Sequence, residues 1–398
     1  MSSTATTPRR GQPAPREIVD RLLQHLREGT TDLCPDTMQL EASIFSDPEV
    51  ARQELDNVFG RVPMIAAHGS ELSKPNDFVA KRLARNDVVM VRQDDGSVRT
   101  FVNMCRHRGA RLVDEADGHC RRFSCPYHGW SYGTDGGLRS ITYPESFGEV
   151  DRSQLGLIEL PTEERHGFVW VVDNPSASID MASWLGTEMD DLLTSYDLSA
   201  FESYQPRSYD QPVNWKVMHD AFLDGYHIKF AHPNSAGKQV HTNIYFTEQR
   251  GRHWRFASPR KNIEPWIAGD FDEPPDLSNI IVTHFVSPNT TLLQLDDNFQ
   301  VLTFYPTSED PFSARMEMRV LVPSVGSADM DEDAWVAKWN KNWHILEIVL
   351  AGEDFPILRD IQHGYANASP SSAILGRNEV LNQAFHRDID HLRAGGDI

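Results

Sequence analysis

The chain has 398 residues, a formal net charge of −20, and 39% hydrophobic and 24% charged residues. That length predicts two domains, and the acidic balance argues against nucleic acid, which demands a basic stripe. No apolar run approaches the roughly 18 residues of a membrane span, no signal segment follows Arg9-Arg10, and the low cysteine count suits a reducing cytoplasm.

Residues 1–15, rich in Ser, Thr, Pro and Arg, read as a disordered tail. Ile18, Leu22, Leu23 and Leu26 recur at helical spacing, and Gly29 supplies the stop. A second helix is expected from Asp47 to about Phe59, so residues 1–60 form a tail and helical arm. From there to 175 the pattern changes to short strands: Val88–Arg92, Val98–Val102, Arg121–Ser124 and Phe168–Val172. Asp94-Asp95-Gly96 and Thr134 to Gly137 look like hairpin turns. This is a small all-β module, ended by a linker from Asn174 to about Asp180.

Residues 176–398 form the second domain. A helix is expected at Met181–Tyr196, a strand near Glu202–Asp210 and a helical region from Trp215 to Phe230. Strand-like runs follow at Val240–Phe246, His253–Ala257, Ile280–Ser287, Thr290–Leu295, Gln300–Tyr305 and Arg315–Val322. A long helix then runs from Asp333 to about Leu350 and resumes after Pro356, with Trp335, Trp339 and Trp343 as its packed face. The fold class is α+β, an antiparallel sheet gripping a long C-terminal helix.

Two constellations carry chemistry. Cys105-Arg106-His107 is followed after seventeen residues by Cys125-Pro126-Tyr127-His128. Each tight loop offers one thiolate and one imidazole, the mixture a Rieske [2Fe–2S] centre needs, because two histidines replace two cysteines on one iron. A Cys₂His₂ zinc site would use the same atoms, although zinc spacings usually pair like with like. Downstream, Asp220, Asp224, His227 and His232 form Asp-x₃-Asp-x₂-His-x₄-His. Asp224 and His227 share a helix face, so the carboxylate can hydrogen-bond the imidazole. His227 and His232 lie about 140° apart on an ideal helix. They meet one ion only where that helix is bulged or broken, and Pro233 favours a break. Two surface histidines on an ordinary helix are the bland alternative.

The runs Cys105 to Leu112 and Cys125 to Trp130 resemble the catalytic α-subunits of Rieske non-haem iron oxygenases, aromatic-ring-hydroxylating dioxygenases among them. The resemblance extends from about residue 45 to 367. Respiratory Rieske proteins carry an extra cysteine pair where this chain has Ala110 and Tyr127. The resemblance implies a helix-grip catalytic domain with Fe(II) held by His227, His232 and a carboxylate from Gly352-Glu353-Asp354. Asp354 is the choice and Glu353 its rival, with Gln362 where the family often has one. It further implies that Asp224 bridges His227 to the cluster histidine of a neighbouring subunit, in a ring of three with or without a small β-subunit. Asp220 departs from the pattern, since many members have Asn there, and His219 stands where an acid is usual.

The chain carries no nucleotide fingerprint, so NAD(P)H acts through a separate reductase, with or without a ferredoxin. The leading expectation is a terminal oxygenase that uses O₂ to hydroxylate an aromatic or similarly apolar organic acid. A monooxygenase removing an O- or N-alkyl group is the second reading. An electron carrier or structural zinc protein is the third. Phe222, Phe230, Phe285 and Leu293 are apolar candidates for a substrate pocket.

Overall fold

The computed structural model describes residues 13–269, 273–328, 330–367 and 372–398; the expected tail lies outside these residues up to position 12. The chain forms two units. One spans Leu55–Trp184, and the other joins the residues up to Glu54 to Leu185–Asp397.

In the smaller unit, strand Asp87–Arg92 lies at the centre of a five-stranded antiparallel sheet. The order is Glu159–Leu160, Val98–Val102, Asp87–Arg92, Asp77–Arg82, Asp117–His119. Side chains alternate faces along a strand. Val89 and Val91 therefore enter one core, and Val88 and Met90 enter the other. Burial on both faces is why this strand reads as an unbroken apolar run. The first core also holds Cys105, Cys125, Trp130 and Tyr132. The expected hairpin turns are present: Gly96 and Gly136 take left-handed backbone, φ 86° and 78°. At Gly136 any side chain would also meet the Phe101 ring, 2.4 Å from a Cβ.

The larger unit is built on a seven-stranded antiparallel sheet. Its order is Phe201–Gln211, Ala314–Pro323, Phe299–Pro306, Thr290–Gln294, Ile280–Val286, His253–Pro259, Phe246–Arg250. The last strand corrects the expected Val240–Phe246, which is mostly loop. Asn243 takes φ 61° there. Tyr245 donates its N–H to Thr31 Oγ1 (2.9 Å) and accepts from the Asp32 N–H (3.2 Å), pairing with the N-terminal arm rather than the sheet. Helix Arg16–Glu28 ends at Gly29 as expected, and Ile18, Val19, Leu22 and Leu23 pack on Ala257, Ile280 and Val282.

The expected break before Pro356 does not occur. Helix Glu332–Val349 passes through a π-turn, Leu350–Asp354, directly into helix Phe355–Asn367. Proline lacks an N–H and crowds the carbonyl four residues back, and a wider turn just upstream accommodates both. The tryptophan face is buried as read, with Trp335 and Trp343 donating their indole N–H groups to the carbonyls of Pro323 and Tyr204, 2.9 Å each. The elements not anticipated include strand Ser372–Leu375, its partner Met38–Glu41, and a last helix, Val380–Arg393. Among the described residues no helix is long and apolar enough to cross a membrane.

Candidate functional site

The two cysteine loops close in the same way. Cys105 donates its N–H to Ala110 O and accepts from Gly109 N–H, at 2.8 and 2.9 Å; Cys125 does the same with Trp130 O and Gly129 N–H, at 2.8 and 3.0 Å. Both glycines take left-handed backbone, φ 79° and 72°, which the turn requires. The thiols are buried, and the rings of His107 and His128 meet edge-on at 4.7 Å between centroids. His107 stacks on Trp130 at 4.9 Å, which fixes its plane.

The donor set fits an iron–sulfur cluster. His128 Nδ1 is buried with no hydrogen-bond partner, a costly state for a ring nitrogen unless something binds it. Desolvation, then the neighbouring His128 and Arg108, holds His107 below the ordinary imidazole range, favouring the neutral, ligating form. The Arg106 N–H occupies the Tyr132 hydroxyl oxygen at 3.0 Å, leaving the O–H to donate to Cys105 Sγ at 3.3 Å. Zinc would draw four ligand atoms into one tetrahedron with bonds of roughly 2.0–2.3 Å. Among the described residues, the group whose ligand atoms all crowd within 4.8 Å is His227, His232 and Asp354, not these four.

That second group is assembled by broken helices. The helical region expected at Trp215–Phe230 is interrupted: helix Trp215–Asp220 ends, Ala221 to Tyr226 is irregular, and a short helix spans Ile228–Ala231. Gly225 lies against Tyr245, whose ring carbon would sit 2.9 Å from a Cβ. Asp224 Oδ1 accepts both the backbone N–H of His227 (3.0 Å) and its ring Nδ1–H (3.1 Å), so Nε2 is left as the free donor atom. His232 closes the short helix with φ −118° and ψ 48°. Gly237 packs over that turn so closely that a Cβ would lie 2.7 Å from His232 O.

The π-turn delivers two consecutive carboxylates to opposite edges of the His232 ring. Glu353 Oε2 meets Nδ1 at 2.8 Å, and Asp354 Oδ1 meets Nε2 at 3.1 Å. Ser235 Oγ donates to the same Glu353 oxygen at 2.6 Å. Asp354 therefore faces the centre, while Glu353 holds the ring from behind. Gln362 is no ligand: its side chain accepts from Asn214 N–H (2.6 Å) and donates to Phe45 O (3.2 Å).

A cavity of about 250 Å³ adjoins the group, lined by Asp220, Asp224, His227, Asp354 and Glu379 together with apolar Ile357 and Ile361. Phe222, Phe230, Phe285 and Leu293 are not among its walls. Phe230 is 72% exposed and Phe285 is buried against His219 and Phe385. Asn382 and His386, both hydrogen-bonded to Asp220, went unread because no motif marks the last helix.

Residues 198–394 match the family described as ring hydroxylating alpha subunit (catalytic domain), and residues 62–155 match the Rieske [2Fe-2S] domain. The anthranilate 1,2-dioxygenase large subunit of Acinetobacter baylyi is 31% identical over 225 residues, 55% of this chain and 48% of that protein. The carnitine monooxygenase oxygenase subunit of Escherichia coli is 30% identical over 226 residues, 55% and 59% of the two chains. The chain thus spans about half the length of the curated relatives it matches. Among solved structures, the quaternary ammonium Rieske monooxygenase CntA with L-carnitine superposes with a TM-score of 0.72 at 19% identity, over 96% of this chain and 99% of that one. Naphthalene 1,2-dioxygenase from Rhodococcus sp. bound to indole gives 0.68 at 18%, over 96% and 100%. At these identities the likeness is one of fold.

Proposed function

We propose, from the premise that the chain belongs to the ring-hydroxylating α-subunits of the Rieske oxygenases, that it is a terminal oxygenase acting on an aromatic or similarly apolar organic substrate. The observation that carries this reading is the presence, on one chain, of a cradle suited to an iron–sulfur cluster and a separate two-histidine, one-carboxylate group. Cys105, His107, Cys125 and His128 would hold the cluster; His227, His232 and Asp354 would hold Fe(II). When bound, the two supply one-electron transfer and the activation of O₂.

The chain's own residues orient and insulate that chemistry. Asp224 and Glu353 each accept Nδ1–H from one histidine, so both rings present Nε2 forward. Three protein donors leave open positions for O₂, as in other non-haem iron sites. Asp224 is the candidate electron bridge, linking His227 to the cluster histidine of a neighbouring copy in a ring of three, with or without a small β-subunit. Electrons would come from NAD(P)H through a separate reductase, with or without a ferredoxin. Cysteines that are all free suit the reducing cytoplasm.

A second reading, oxidative N- or O-dealkylation, is favoured by the match to carnitine monooxygenase and by the cavity wall, which among the described residues holds carboxylates and no Lys or Arg to receive an acid. Product analysis with ¹⁸O₂ and a surrogate reductase separates the two. A cis-diol retaining both oxygen atoms supports dioxygenation, and a single labelled oxygen with released aldehyde supports dealkylation. Metal analysis tests the shared core: about three irons per chain are expected, and two alone would reduce the protein to an electron carrier.

A further inference from the structure

Helix Trp215–Asp220 leads into the irregular segment that bears Asp224 and His227. Its start is held by Gln362, which accepts the Asn214 N–H at 2.6 Å. Its end is held more elaborately. Asn382 Nδ2 donates to Asp220 O at 2.9 Å and to Asp220 Oδ1 at 3.1 Å. His386 Nε2 meets Asp220 Oδ2 at 2.9 Å and Oδ1 at 3.1 Å. The amide of Asn382 faces two acceptors, so its orientation is set, and its own Oδ1 is left buried without a hydrogen-bond partner. An acceptor left empty in this way is unfavourable, so the amide is placed to grip Asp220 rather than to satisfy itself. His386 is almost fully buried, 5.6 Å edge-on to Phe45 and 5.0 Å from Phe385.

We propose that Asn382 and His386, one turn apart on the last helix, clamp Asp220 and thereby position the loop that carries Asp224 and His227. The clamp gives the departure at Asp220 a physical reason. A carboxylate can accept from both the amide and the imidazole, and no charged acceptor for the imidazole would remain with Asn there. All three are positioning residues, acting through Asp224 and His227. The inference rests on the reading of His227, His232 and Asp354 as a metal site.

The test uses the full, cluster-containing chain, with mononuclear iron removed by mild chelation and Co(II) titrated back. Asn382→Asp sets two carboxylates face to face and should weaken Co(II) binding about 10-fold or more, as loss of an outer-shell partner does. Combining it with Asp220→Asn restores one amide–carboxylate pair in the reverse sense, without the bond to Asp220 O or a charged acceptor for His386, and should return part of the lost affinity, which mere loosening of the fold would not do. His386→Phe, which keeps the aromatic packing and removes the donor, should weaken binding even if Asn382→Asp fails to fold. Unchanged Co(II) affinity in Asn382→Asp and His386→Phe, or no recovery in the double variant, overturns the clamp while leaving the metal site standing. Failure of the unmodified protein to bind Co(II), with binding also indifferent to Asp354→Ala, overturns the metal-site reading and the clamp with it.

Discussion

The ring of His232 has a carboxylate at each nitrogen, Glu353 at Nδ1 and Asp354 at Nε2. Burial alone would lower its pKa; Asp354 and then Glu353 more than offset that, so the metal-free ring titrates above the ordinary imidazole range. A metal entering the proposed site would displace that proton, and the ring is already aimed. Sequence spacing left Glu353 and Asp354 as rivals because a one-residue drift is invisible without a helix phase. The π-turn places them differently, Glu353 at Nδ1 and Asp354 at Nε2, which supports Asp354 as the proposed ligand. Asp354→Ala should lose mononuclear iron outright and keep the cluster spectrum. Glu353→Ala should keep a site of the same ligands but bind iron roughly 10–100-fold more weakly. Iron content after desalting, read beside the cluster absorbance, checks both. Loss of iron on Glu353→Ala with retention on Asp354→Ala would reverse the assignment.

At the scale of elements, the site depends on helices that stop. Gly237 closes over the His232 turn, where a Cβ would lie 2.7 Å from His232 O and 2.9 Å from Ile228 O. Both atoms are backbone, so Gly237→Ala must move the turn itself; it should lower iron occupancy while the cluster spectrum stays intact, and wild-type occupancy would show that the turn yields freely. The cysteine and histidine motifs and most strands of the large sheet were legible because each is a local pattern. The π-turn and the last helix were not, since proline reads as a stop and His386 has a partner 166 residues away. A second element carries a pH signature. His284, within strand Ile280–Val286, is fully buried with Nε2 3.1 Å from the Tyr196 hydroxyl. Burial, then Arg255 and Arg250, pushes its pKa down from 6.5 to about 3. The unfolded chain therefore binds a proton below pH 6.5 that the folded chain refuses until about 3. Stability contributed by the neutral ring is full above 6.5 and falls on acidification, by on the order of 1.4 kcal/mol per pH unit. His284→Gln should flatten the acid limb of melting temperature against pH, and an unchanged limb would assign it to other groups.

The whole molecule poses a question of route, because the proposed oxygenase would need an electron from the centre proposed at Cys105, His107, Cys125 and His128 to reach the one proposed at His227, His232 and Asp354. If Asp224 receives it from a neighbouring copy, one chain supplies the donor centre and another the acceptor. Two defective chains can then complete each other. Cys125→Ser removes the cluster and leaves Asp224 and the iron ligands; Asp354→Ala removes the iron and leaves the cluster. Each alone should be inactive. Co-expressed with different affinity tags and purified through both, mixed rings should recover a measurable fraction of substrate-dependent O₂ uptake. Each productive contact would pair an intact cluster with the intact Asp224 and iron of the next copy. Transfer within a chain predicts no recovery, since every chain lacks one centre. Adding Asp224→Asn to the Cys125→Ser chain sharpens the result, because the carboxylate is needed on the chain that keeps its iron. Recovery should vanish there, and persist when Asp224→Asn is placed on the Asp354→Ala chain instead. Equal loss from both placements would mean that Asp224 supports assembly rather than the electron's path.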